Sequence, residues 1–109
     1  MSREYAIEKL YLAVLGLMAG TGEIHQRLES AANTLHTLDA TRDFPTDLQG
    51  RFTALWDSLT REEAESKGEG RIRATIRKMT PDDAAKLAEQ IFDLYFGSLG
   101  ITPFGHPRG

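Results

Sequence analysis

The run LYLAVLGLMAG, Leu10 to Gly20, constrains this chain more than any other stretch, because eleven residues pass without a charged side chain. It is too short to span a bilayer, which takes about 20 apolar residues. It also makes a poor signal peptide. Glu4 and Glu8 offset Arg3 and Lys9 ahead of it, and no small-x-small cleavage site follows. Tyr5 to Ala19 contains no proline and only Gly16, so the segment reads as a helix. Ile7, Leu10, Tyr11, Val14, Leu17 and Met18 recur at i, i+3, i+4 spacing. Leu12, Ala13 and Leu15 fill the other faces, so its second half is apolar almost all round. Such a helix is normally covered on every side. In a chain of 109 residues that implies a central helix or one covered by a second copy, and the second copy is the expected cover.

The rest of the chain supplies further helices. Gly20 is expected to end the first in the left-handed conformation, and Thr21 to cap the second. That helix carries Ile24, Leu28, Ala31, Leu35 and Leu38 as a heptad-like seam. Asp39 to Asp47 reads as a loop, and Pro45 opens a third helix bearing Leu48, Phe52, Leu55, Trp56 and Leu59. Thr60 and Glu63 have capping-box spacing, so this helix either breaks and restarts at Thr60 or runs on towards Ser66. Arg71 to Met79 fits either a short helix or a half-buried strand. The helix is preferred because no other segment offers a partner strand. Thr80-Pro81-Asp82-Asp83 marks the start of a last helix, with Ala84, Leu87, Ala88, Ile91, Leu94 and Tyr95 on one face. The expected fold is all-α: an antiparallel bundle of four main helices plus one short helix, dimeric. The expected organisation is one helical domain over 1–100 and a flexible C-terminal tail over 101–109, held only where Ile101 or Phe104 docks.

Composition narrows the chemistry. The absence of cysteine excludes disulfides, thiolate catalysis and cysteine-based metal sites, and fits a cytoplasmic setting. A net charge of −3 argues against non-specific coating of nucleic acid. Gly68 and Gly70 form neither a P-loop nor a dinucleotide fingerprint. There is no G-x-S-x-G elbow and no Glu-x-x-His pair. His25 and Glu29, at i, i+4, read as a local polar pair rather than a metal site. No enzyme activity, cofactor or metal is expected.

Two groups of residues remain as candidates. Lys67, Arg71, Arg73, Arg77 and Lys78 form a basic segment suited to an anion or an acidic partner, because guanidinium groups grip phosphate and carboxylate bidentately. The plainer reading pairs it with Glu62, Glu63 and Glu65 just upstream. Leu10, Val14, Leu17, Met18 and Trp56 are the expected interface, with Trp56 as anchor. The function expected is a non-catalytic protein-interaction or assembly module, homodimeric and without membrane contact. The alternative is a nucleic-acid-associated regulator using residues 67–78.

Overall fold

The computed structural model describes residues 2–101, except the side chain of Ser2. The readings that concern Phe104 and the tail beyond Ile101 fall outside the described residues. Six helices follow one another: α1 (Ser2–Ala19), α2 (Ile24–Leu35), α3 (Ala40–Asp43), α4 (Thr46–Leu59), α5 (Arg71–Arg77) and α6 (Pro81–Ser98). No strand occurs among the described residues, so Arg71 to Arg77 is helical. Five of the six are the expected helices, and α3 is one extra turn inside the expected loop.

Helices α1 and α2 lie antiparallel across a tight corner that depends on Arg27. Its Nε donates to the Gly22 carbonyl at 2.9 Å and its Nη1 to the Leu17 carbonyl at 2.8 Å. The second bond satisfies one of the carbonyls that a helix end leaves open. Gly20 does not adopt the expected left-handed conformation. It is required for space instead: a Cβ there would lie 2.6 Å from the Gly16 carbonyl oxygen and 2.9 Å from Arg27 Cγ. Nor does Thr21 cap α2. Glu23 does, through a capping box in which the Gln26 side chain accepts from the Glu23 backbone N–H.

Helix α6 runs antiparallel to α1, and Arg3 donates to the Ser98 carbonyl at 3.1 and 3.3 Å. Thr80 caps α6 as the sequence implies, its hydroxyl accepting from the Asp83 N–H at 3.1 Å. Replacing Thr80 with Ala removes that bond without touching the core. The expected loss is about 1 kcal/mol in chemical denaturation. A cost near zero would mean that another group takes over the Asp83 N–H.

One core joins the helices. Ala6, Leu10 and Ala13 of α1 meet Leu28, Ala31, Ala32 and Leu35 of α2. Leu48, Phe52, Leu55 and Leu59 of α4 and Ala84, Leu87, Ile91 and Leu94 of α6 complete it, with Ile76 of α5. The small Ala31 and Ala32 on α2 allow the close approach of α1 that its seam implies. Helix α4 stops at Leu59, and the Thr60 hydroxyl bonds back to the Trp56 carbonyl at 2.8 Å rather than capping a new helix. The chain from there to Arg71 is non-helical, and Gly68 and Gly70 both take positive φ.

Candidate interaction surface

The basic segment is an ion-pair lattice. Arg71 Nε donates to the Thr60 carbonyl at 3.0 Å, and its Nη1 lies 3.3 Å from Glu63. Arg77 Nε meets Glu69 at 2.7 Å, and its Nη2 lies 3.4 Å from Glu65. Lys78 reaches Glu65 at 2.8 Å and Glu62 at 3.3 Å. Arg73 pairs further away, with Glu29 of α2 at 3.0 Å. Lys67 makes no ion pair among the described residues. Four cations thus face five carboxylates, and Lys67 brings the group to neutrality. The pairs to Glu62, Glu63, Glu65 and Glu69, together with the bond from the Glu62 N–H to the buried Thr75 hydroxyl at 2.9 Å, strap the 60–70 segment onto α5.

The electrostatic consequences follow from those contacts. The Lys78 ammonium, then Arg77, hold the Glu65 carboxyl below the usual carboxylate range. Arg77 does the same to Glu69, aided by the backbone N–H of Glu65. Glu65 and Glu62 raise Lys78, and Glu69 raises Arg77. All of these groups stay charged at neutral pH, which suits a fixed lattice rather than proton transfer.

The histidines serve the fold. His25 Nε2 donates to the Met79 carbonyl at 2.8 Å, tying α2 to the turn before α6. His25 and Glu29 therefore do not pair with each other, since Glu29 is taken by Arg73. His36 Nδ1 donates to the Asn33 carbonyl at 2.7 Å. Among the described residues, no three His, Asp or Glu side chains gather as metal ligands would.

The expected interface residues do not form one surface. Leu10 is fully buried in the chain's own core, because the α1 face that carries it with Ala6 and Ala13 packs on α2 and α6. Leu10 is thus a core residue and not an interface residue. Val14 and Leu17 are half-buried against that core. Trp56 lies on α4, stacked on Phe52 at 6.2 Å, in a concavity walled by α2 and α5. Met18 alone of the five is well exposed, at 74%.

The apolar surface that α1 does present is a different set: Tyr11 (49% exposed), Leu12 (41%), Leu15 (38%) and Met18. Tyr11, Leu15 and Met18 share one face at i, i+4, i+7 spacing, and Leu12 flanks it. An aromatic chain extends this face onto α6: Tyr11 to Tyr95 at 6.3 Å, Tyr95 to Phe96 at 5.9 Å, and Phe96 to Phe92 at 4.5 Å. Phe92 is itself 42% exposed. No charged residue occurs between Leu10 and Gly22, so the α1 part of the surface is uninterrupted. The periodicity revealed an apolar helix but not which side its neighbours would take.

No helix among the described residues is long and apolar enough to cross a membrane. Compared with known proteins, the chain matches no family model, no curated protein and no solved structure.

Proposed function

We propose that this chain is a non-catalytic, cytoplasmic assembly module that pairs with a second copy of itself through the exposed face of α1 and the adjoining aromatics of α6. The observation that carries the reading is the apolar patch of Tyr11, Leu12, Leu15, Met18 and Phe92, whose α1 part carries no charge. Its exposed fractions amount to roughly 500 Å², taking about 200 Å² for a large side chain. A patch of this size is as large as soluble monomers usually display, and such patches are often functional. Two of them face to face remove about 1,000 Å² from water, the lower bound of a specific interface.

Gly16 supports the same reading. A glycine inside a helix costs about 1 kcal/mol relative to alanine. Among the described residues, nothing beyond its own helix backbone lies within 4 Å of where its Cβ would be, so no packing contact there requires glycine. A second helix approaching α1 closely does. The alternative role, nucleic-acid binding through residues 67–78, draws no support from the lattice of carboxylates on those cations.

Sedimentation or light scattering is the test. The wild type is expected to dimerise at micromolar concentration. Leu15→Glu with Met18→Glu should weaken association at least about hundredfold while leaving the helical spectrum intact, since each buried large apolar side chain contributes about 1.5–3 kcal/mol. A wild type that stays monomeric at tens of micromolar sinks the proposal.

A further inference from the structure

A second feature lies away from the α1 face. Helices α2, α4 and the start of α5, with Thr60, Glu69 and Gly70 between the last two, border an open concavity of about 570 Å³, within the size range of small-molecule sites. One wall is the Trp56 indole. It is held in an aromatic stack, with Phe52 at 6.2 Å and Phe44 beyond it at 4.8 Å from Phe52. Ile72 adds apolar surface; Asn33, Glu29, Arg71 and Arg73 line it too, as does Glu69, whose carboxylate is held by Arg77.

Several donors of the residues lining this concavity have no partner among the described residues. The indole N–H of Trp56 has no partner among the described residues. Arg73 uses only Nε, on Glu29, and neither of its terminal amino groups has a partner there. Arg71 uses Nε and Nη1, on the Thr60 carbonyl and Glu63, and its Nη2 has none. The Arg73 guanidinium is thus steadied through Nε while its terminal edge stays free, and Arg71, held on both sides, keeps only Nη2 free. Glu29, in contrast, already has an oxygen on Arg73. A fixed flat aromatic wall beside steadied, partly free guanidinium groups suits a planar ring that carries an anionic group. The ring packs on the indole, and the anion takes the fork hydrogen bonds that arginine forms with carboxylates.

We infer that this concavity binds a small aromatic carboxylate, with Trp56 stacking its ring and Arg73 and Arg71 receiving its anionic group. The inference is independent of the α1 pairing, because no α1 residue lines the concavity.

Trp56 is the chain's single tryptophan, so its indole N–H is a unique signal in a proton–nitrogen correlation spectrum. Titration with 2-naphthoate at millimolar concentration is expected to move that signal together with the Arg73 side-chain N–H. The neutral isostere 2-naphthamide should bind at least about tenfold more weakly, as loss of a charge-assisted hydrogen bond implies. Arg73→Gln, a change at an exposed position, should weaken naphthoate about tenfold and leave naphthamide unaffected. An indole signal unmoved by naphthoate overturns the inference. Equal binding of acid and amide by the wild type also overturns it, with no variant needed, because the guanidinium groups would then take no part.

Discussion

Leu10→Ala is expected to lower the stability of the fold by about 2–5 kcal/mol. Leu10 is fully enclosed where α1 meets α2 and α6, so truncation removes buried methyl groups and leaves a cavity that rigid neighbours refill only in part. Met18→Ala, two turns along the same helix, is expected to change the stability of the single chain by no more than about 0.5 kcal/mol, since Met18 faces solvent. Dimerisation would add a concentration-dependent term to both, because whatever binds only the folded state stabilises it by mass action. The comparison is therefore made by urea denaturation in the Leu15→Glu, Met18→Glu background, with Met18→Ala made against Leu15→Glu alone. If Leu10→Ala costs less than about 1 kcal/mol, α1 does not dock by the face described. If Met18→Ala costs as much as Leu10→Ala, Met18 is in the core and the exposed patch does not exist.

Asp43 is the second position where one side chain should matter greatly. It is the buried carboxylate of the fold, with its side chain 1% exposed. It accepts from the Asp39 N–H at 2.8 Å and from Arg42 Nη2 at 2.8 Å. Arg42 Nη2 also reaches the Thr37 carbonyl at 2.8 Å, and Asp39 caps α3 by accepting from the Arg42 N–H at 2.9 Å. The single turn of α3 is thereby stapled between α2 and α4. Asp43→Asn keeps the shape but places an amide against the guanidinium and the backbone N–H. The expected loss at pH 7 is about 2–4 kcal/mol, below the full cost of breaking a doubly buried pair because Arg42 is largely exposed.

The same carboxylate sets a pH dependence. The Arg42 guanidinium, aided by the Asp39 N–H, holds Asp43 below the usual carboxylate range despite burial. The Arg42 backbone N–H, then the Thr41 hydroxyl, do the same to Asp39. A group whose pKa is depressed on folding stabilises the native state above its unfolded pKa, near 3.9 for aspartate, and ceases to do so as pH falls through its folded pKa. Wild-type stability should therefore fall with acidification from about pH 5 downward, with Glu65 and Glu69 adding to the slope. Urea midpoints between pH 7 and pH 3 should show a shallower acid limb in Asp43→Asn. Identical slopes in wild type and variant would mean that the carboxylate is not held as described.

Much of the architecture was legible because it is local. Thr80-Pro81-Asp82-Asp83 sets the start of α6 through a hydroxyl cap, a fixed φ and favourable dipole charges, all within one turn. The apolar period of Ala84, Leu87, Ile91 and Leu94 identifies the inward face of α6 for the same reason. Preference for a helix over Arg71 to Arg77 rested on the lack of any partner strand, and among the described residues the segment is helical. The glutamates upstream of α5 were visible as counter-charges, and they do hold Arg71, Arg77 and Lys78. Glu29, which takes Arg73, lies 44 residues away and gave no local sign. Asp43 looked like one more loop acid, since burial and not residue type makes a carboxylate structural.

From the order of residues alone came five of the six helices, the start of α6 and the excess of apolar surface on α1, because caps, turns and periodicity act over a few residues. Tertiary packing decided that Leu10 is enclosed while Met18 and Leu15 face water, and that Trp56 walls a concavity instead of joining them. The physical reason is that a helix apolar on several sides has no inward face of its own. The positions of α2 and α6 choose it, and those positions depend on side chains distant in sequence, such as Arg27 and His25, whose partners no short window contains.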